Sequence, residues 1–349
     1  MANLKLIRKR IGSVKSTQKI TRAMKMVAAA RLAKAQQAIT ELRPYALKTL
    51  EVLSSVAARA GEEDVHPLLA RRDPKRVMLV VLTSDRGLAG AFNANVNKAA
   101  YLKWKALEDD GVEVSFAVVG RKGRDFFRRR GANIRRDFTG VFENLTVESA
   151  GEIGRYIVGE YIAGGQARLA AAEREGRKLA PGPSVDMDSL EGKPHGLAEV
   201  DEGAETFTPT DSFEDAEPNL DAVFLIYNEF KSAMTQNVVV EPLLPIVPEE
   251  IEGAGEGELA DQQVDFIYEP NKRALLDRIL PMYLETEVFR SLLESVASEH
   301  GARMTAMDSA TKNASDMIDR LTLVYNRARQ AAITTELMEI IGGAEALKG

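Results

Sequence analysis

The sequence of 349 residues contains no cysteine and only three histidines, at positions 66, 195 and 300. Without cysteine the chain has no disulfide, no thiol nucleophile and no thiolate metal site. The histidines lie far apart in the sequence, so we expect no metal site built from them. No apolar run reaches the length of about 18 residues that a membrane-spanning helix needs, and the basic start of the chain lacks the apolar core of a signal peptide.

The chain also lacks a recognisable set of catalytic side chains. No Ser/His/Asp arrangement and no isolated pair of carboxylates stands out, so we expect no catalytic residues and no cofactor. The stretch "TSDRGLAG" at 83–90 follows an apolar run, as phosphate-binding loops do, but it matches neither GxGxxG nor GxxxxGK[ST]. We expect Gly87 and Gly90 to serve tight turns and helix packing there.

Charge is divided unevenly along the chain. Residues 1–48 carry twelve Lys or Arg and one acid, a net charge of +11. Residues 184–219 carry eleven acids and one base, a net charge of −10. The stretch "GRKGRDFFRRRG" at 120–131 is basic as well and predicts a solvated helix that faces an acidic partner, with phosphate binding at this strand end as the alternative. Such a division indicates segments that meet different partners.

Apolar residues recur at heptad spacing near both ends of the chain, which predicts coiled-coil helices. The N-terminal series is Leu4, Ile7, Ile11 and Val14, and the C-terminal series is Met317, Leu321, Val324, Ala328, Ala331, Thr335 and Met338. We predict one coiled-coil helix within 1–58 and another within 271–349, paired antiparallel. A helix over 275–345 would be roughly 100 Å long, so a large partner must surround most of it.

The middle of the chain has a different pattern, in which apolar runs of strand length alternate with helical segments. The predicted strands are 76–83, 112–120, 221–227, 237–245 and 264–270, and the predicted helices are 91–111 and 147–165. This alternation favours an open α/β sheet. We therefore predict an α/β domain over 75–270, interrupted by an acidic low-complexity insert at 166–219 and an acidic loop at 249–261.

Two rival functions remain open at this point. A basic coiled-coil protein that binds nucleic acid would explain the positive charge of the first helix. However, the apolar stripe runs through the same residues as the charge, whereas a basic zipper separates the two. An enzyme with a Rossmann-type domain would need a nucleotide in the loop at 83–90.

Four stretches make the sequence resemble the gamma subunits of F-type ATP synthases. They are "IRKRIGSVKSTQKITRAMKMVAAARLAKAQ" with "RPY" at 43–45, "LTSDRGLAGAFN" at 82–93, "ASEHGARMTAMDSATKNASDMI" at 297–318 and "LVYNRARQAAITTELMEIIGGAEAL" at 323–347. The resemblance implies a Rossmann-like α/β domain inserted between the N- and C-terminal helices of a long antiparallel coiled coil. It implies a non-catalytic rotor subunit of the central stalk, which couples proton flow through the membrane sector to ATP synthesis or hydrolysis.

The implied partners are the alpha and beta subunits of the catalytic hexamer, the epsilon subunit and the c ring, with one copy of the chain per complex and no nucleic acid. The implied location is peripheral, on the cytoplasmic face of the bacterial plasma membrane. Residues implied to contact the alpha and beta subunits are Arg8, Lys9, Arg10, Met24, Lys25, Arg329, Gln330 and Thr334. For Met24, a place in the core of the coiled coil is an equal alternative. An apolar bearing tip is implied at Ile340, Ile341 and Leu347.

This sequence departs from the family's pattern in two places. Lys25 stands where many relatives carry an acid, so this stretch is more basic than usual. The acidic stretches at 166–219 and 249–261 are longer than the usual pattern. A regulatory dithiol of the kind found in some photosynthetic relatives is impossible here, because the chain has no cysteine. Two roles of the insert remain open: a solvated loop without a function, or a mobile acidic brake that contacts the basic shaft or the lower rim of the hexamer and hinders one direction of rotation.

Overall fold

The computed structural model describes residues 4–57, 66–163, 220–247 and 272–346. The helices of this part are α1 (Leu4–Ala57), α2 (Phe92–Asp109), α3 (Arg121–Arg128), α4 (Val147–Ala163) and α5 (Lys272–Ala346). Its strands are β1 (Arg76–Leu82), β2 (Glu113–Val119), β3 (Ile134–Phe138), β4 (Ala222–Phe230) and β5 (Gln236–Leu244). The predicted strand at 264–270 and the acidic stretches at 166–219 and 249–261 lie outside the described residues.

The strands within the described ranges form one five-stranded sheet in the order β3-β2-β1-β4-β5. Neighbouring strands are parallel except β5, which runs antiparallel to β4. Val80 of the central strand β1 lies opposite Ala117 on one side and Leu225 on the other. Strand β1 is almost wholly buried because helices cover both faces of the sheet.

Two apolar layers flank the sheet. On one face, helices α1, α4 and α5 pack over residues such as Met78, Val80 and Leu225. On the other face, helices α2 and α3 pack over Leu79 and Phe116. Alternate residues of each strand therefore serve opposite layers, as the period of a strand requires. The predicted fold class, an α/β domain between the two helices of a coiled coil, is confirmed.

Helices α1 and α5 run antiparallel and in contact. The hydroxyls of Thr21 and Thr311 are 2.8 Å apart, and Nζ of Lys25 lies 2.5 Å from Oδ1 of Asp308. Residue numbers therefore increase along α1 in the direction in which they decrease along α5. Both helices continue through an internal proline, Pro44 in α1 and Pro281 in α5. Their sheet-facing ends are anchored in the core, so the helices and the α/β domain form one body.

Candidate protein–protein interface

The shaft, which we define as 4–31 of α1 and 301–346 of α5, carries an apolar surface exposed to solvent. Twelve large apolar side chains there are at least 48 % exposed: Leu6, Ile20, Met26, Val27, Met317, Leu323, Val324, Ile333, Leu337, Met338, Ile340 and Ile341. Isolated exposed apolar residues are ordinary, but a concentration of them marks a surface that another molecule covers. No helix among the described residues is long and apolar enough to cross a membrane.

Helix α5 extends beyond the start of α1. Carrying the Thr21–Thr311 register toward the chain ends brings Leu4 level with about residue 328. From there to Ala346 no part of α1 between Leu4 and Ala57 lies beside α5, a length of about 27 Å. The predicted seam residues Ala331, Thr335 and Met338 therefore have no partner on the described part of α1, where we expected one. A helix left single in this way gains little stability from itself and fits a surface supplied by other chains.

The structure places the predicted contact residues in three groups along the shaft. Arg8, Lys9 and Arg10 are exposed, and none of them forms an ion pair within the described ranges. Arg329, Gln330 and Thr334 are exposed on the far half of α5, where the Thr334 hydroxyl donates to the Gln330 carbonyl oxygen at 2.9 Å. Ile340 and Ile341 are exposed at its tip, and Leu347 lies outside the described residues.

Met24 and Lys25 differ from those groups because both contact other parts of the chain. Met24 is half-buried and lines a cleft of about 460 Å³ between α1, α5 and the loop after β1. Lys25 is paired with Asp308, which also lies 2.9 Å from Nζ of Lys312. Hydrogen bonds from Lys25 and then Lys312 lower the pKa of Asp308. The charge of Lys25 is thus partly compensated inside the shaft.

Arg303 joins α5 to the loop after β1 at the bottom of this cleft. Its Nη2 lies 2.7 Å from Oε1 of Glu299 and 3.3 Å from the carbonyl oxygen of Gly87. Its Nη1 lies 3.3 Å from Nδ1 of the buried His300. Burial, together with the charges of Arg303 and Arg31, lowers the pKa of His300 to about 4. His300 is therefore a neutral ring at the joint between shaft and α/β domain.

The low pKa of His300 predicts a pH-dependent stability of the chain. The unfolded state binds a proton near pH 6.5 and the folded state only near pH 4, so stability is complete above pH 6.5 and falls as pH drops through this window. Between pH 7 and pH 5 we expect the free energy of unfolding to fall by about 2 kcal/mol through this residue. Urea unfolding of the chain and of His300→Gln at both pH values measures it. If the free energy of unfolding of His300→Gln fell equally between pH 7 and pH 5, the pH dependence could not be assigned to His300.

The loop at 83–90 is closed by its own side chains. The Asp85 carboxylate, 3 % exposed, accepts hydrogen bonds from the backbone N–H groups of Arg121 and Gly140 at 3.1 and 3.0 Å. The Ser84 N–H donates to Oδ1 of Asn93 at 3.0 Å. A carboxylate thus occupies amides that a phosphate would need. The loop connects the sheet to the shaft, and its geometry gives no support to a nucleotide site there.

Sequence reasoning missed the residues that hold the shaft in register. Thr21 and Thr311 are separated by 290 positions, and Lys25 and Asp308 by 283. Arg303 reaches Gly87 across 216 positions. The local signals near these residues were the i,i+4 spacings of Asp308 with Lys312 and of Glu299 with Arg303 on α5. The tertiary partners become visible once the helix register is known.

Comparisons with known proteins agree on one family. A family model described as ATP synthase matches residues 3–347. The ATP synthase gamma chains of Sorangium cellulosum and Geobacter sp. strain M21 are 47 % and 45 % identical, over 376 and 349 aligned residues, with 100 % of each chain covered. Two Euglena gracilis mitochondrial ATP synthase structures have a similar fold. A chain of the rotor in rotational state 1 has a TM-score of 0.51 at 17 % identity, over 95 % of this chain and 98 % of that one. A chain of the OSCP/F1/c-ring structure in rotational state 3 has a TM-score of 0.55 at 18 % identity, over 99 % of this chain and 94 % of that one.

Proposed function

The chain belongs to the ATP synthase gamma-chain family, and from that premise we propose that it is the central-stalk rotor of an F-type ATP synthase. In this role it couples proton flow through the membrane sector to ATP synthesis or hydrolysis in the alpha/beta hexamer by rotating. The observation that carries the proposal is the shaft, whose apolar and cationic surface has no cover in the described residues. Exposed apolar residues interleaved with cations favour a protein cavity over a nucleic acid.

A rotor of this kind acts by contact geometry. The shaft is asymmetric, because two helices run side by side for part of its length and α5 then extends beyond the described start of α1. At each angle it presents different side chains to each catalytic subunit and so favours a different conformation there. Rotation then shifts the populations of the three catalytic sites in turn. The chain itself needs no catalytic residue for this, and we propose that it is non-catalytic.

We propose three zones of contact along the shaft. Acidic loops of the beta subunits contact the cations near the start of α1 and the Met24–Lys25 region, and they contact the polar group on the far half of α5. The apolar tip turns in a collar at the top of the hexamer. The residues of these zones are Arg8, Lys9, Arg10, Met24, Lys25, Arg329, Gln330 and Thr334, with Ile340, Ile341 and Leu347 at the tip.

The α/β domain stands at the other end of the molecule, and we propose that it contacts the epsilon subunit and the c ring. One copy of the chain then serves each complex. The complex lies on the cytoplasmic face of the bacterial plasma membrane, with this chain held there peripherally by its partners. The apolar packing of α1 and α5 against the sheet supports this arrangement, because torque applied to the domain must reach the shaft.

Restoring the chain to cells that lack it tests the proposal. We expect the full chain to co-purify with alpha, beta, epsilon and c subunits and to restore ATP-driven proton pumping in inverted membrane vesicles. A control chain that ends at Ala328 keeps the α/β domain and the paired part of the shaft but loses the part of α5 beyond the start of α1, and we expect at least about a tenfold loss of pumping. Full pumping by the shortened chain, or purification without the other subunits, would contradict the proposal.

A further inference from the structure

A second charged surface lies on the opposite side of the sheet from the shaft helices. Helices α2 and α3 enclose an open cleft of about 510 Å³. We call it the α2–α3 cleft and define it by Lys98, Tyr101, Lys122, Phe126, Arg129 and Arg130. The rotor proposal uses none of these residues.

The four cations of the cleft have no carboxylate partner among the described residues. Nε of Arg129 donates to the Asp125 carbonyl oxygen at 2.8 Å, and Nη1 of Arg130 donates to that of Phe126 at 3.0 Å. These neutral acceptors leave both charges uncompensated. Other cations of the domain are paired, as Arg124 is with Asp137 and Arg136 with Glu152. The unpaired charge on this face therefore suits an anionic ligand.

The cleft also offers preorganised groups for a peptide. The Arg130 guanidinium lies 3.5 Å from the ring centroid of Phe126 and 5.7 Å from that of Tyr101, which holds it flat and available for carboxylate pairing. Asn97 also lines the cleft, is 5 % exposed, and its Oδ1 accepts no hydrogen bond. A ligand with carboxylates and backbone N–H groups can satisfy both features, and an acidic peptide has both.

The chain itself contains an acidic sequence within reach. Residues 205–219, "ETFTPTDSFEDAEPN", hold five acids, two phenylalanines and no base. They precede Leu220 at the edge of the sheet where β1 begins, because Asp221 Oδ2 accepts from the Arg76 N–H at 2.8 Å. Helix α2 ends at this edge, and Tyr101 lies about 12 Å up the helix from Asp109. Ten residues of extended chain span about 34 Å, enough to reach the cleft.

We infer that the α2–α3 cleft binds the chain's own acidic segment 205–219 through its four unpaired cations. Tethering places the segment near the cleft at a high effective concentration, so even weak ion pairs suffice for occupancy. The contact neutralises part of a basic surface that would otherwise attract other anions. As an exposed ionic contact it weakens as salt rises.

A labelled synthetic peptide of sequence 205–219 tests the inference on the purified full chain and on a form lacking 176–217. We expect the peptide to bind the shortened form at least about tenfold more tightly, because the tethered segment competes in the intact chain. In the shortened form, Arg129→Glu with Arg130→Glu should weaken binding at least about tenfold. The control pair Lys103→Glu with Lys105→Glu makes the same charge change on α2 outside the cleft and should weaken binding less than about twofold.

Two outcomes would overturn the inference. Equal affinity of the intact and shortened forms would show that the tethered segment does not occupy the cleft, and that a second chain is the better candidate. An equal loss from both charge-reversed pairs would show attraction to the domain's overall charge without a site. Neither outcome depends on assembly of the complex, so the rotor proposal is tested separately.

Discussion

Replacing Ala35 by aspartate should lower the free energy of unfolding by about 3 kcal/mol and uncouple the assembled complex. Ala35 is 6 % exposed on α1 and packs with Leu32 in the apolar layer between the helices and the sheet. A carboxylate buried in this apolar layer loses its hydration without gaining an ion pair in return, which costs several kcal/mol. Because this layer fixes α1 to the α/β domain, we expect proton pumping to fall more than ATP hydrolysis.

Ala33→Asp is the matched control for that experiment. Ala33 lies two positions away on the same helix but is exposed to solvent. The control therefore makes the same chemical change with a loss of no more than about 0.5 kcal/mol. Urea unfolding of the three purified chains, and the ratio of pumping to hydrolysis in vesicles, measure both parts of the prediction. Equal behaviour of the two variants would show that the α1 layer does not transmit torque.

The coiled coil was predictable because its signal is local. The residues Leu4, Ile7 and Ile11 recur every three or four positions, and that period describes a helix without knowledge of any other segment. The strands β1 and β2 were predictable for a similar reason. They are buried on both faces, so their sequences are almost continuously apolar.

Strand β3 was not predictable from its own residues. Its sequence "IRRDF" holds two arginines and an aspartate, and no apolar period can be read from it. It forms a strand because it lies at the edge of the sheet, where charged residues are tolerated and block further pairing. The charges are met by distant residues, since Arg135 pairs with Glu160 and Arg136 with Glu152. These pairs join residues 25 and 16 positions apart, so no local sequence pattern reveals them.

For the candidate interface, the structure adds the exposure of residues that the sequence could only propose as contacts. The resemblance to a family placed contact residues on the terminal helices, and the structure shows which of them are exposed and which are held within the chain. Met24 and Lys25 belong to the second kind. The distinction depends on the helix register, which the sequence does not state. Exposure of Arg8 and Arg329 follows from their places on the two helices.

The buried ion pair behind strand β3 should be the most sensitive polar contact of the α/β domain. Nη1 of Arg135 lies 2.7 Å from Oε2 of Glu160, whose side chain is 2 % exposed. Arg135→Met removes the cation and leaves the buried Glu160 carboxylate without its counter-charge. Removing one partner of a buried ion pair destabilises the fold by about 3–5 kcal/mol, because the other charge stays buried without compensation. Replacing both partners by apolar residues costs much less. We therefore expect Arg135→Met to lower the free energy of unfolding by about 3–5 kcal/mol.

Two further variants separate this cause from a general loss of charge. Arg136→Met removes the neighbouring cation, whose pair with Glu152 is 35 % and 55 % exposed, and should cost less than about 1 kcal/mol. Adding Glu160→Leu to Arg135→Met removes the uncompensated Glu160 carboxylate, so we expect the double variant to regain most of the lost free energy of unfolding. Urea unfolding of the full chain measures all three. A double variant no more stable than Arg135→Met would mean that packing of the arginine stem, and not the unpaired charge, holds this edge of the sheet in place.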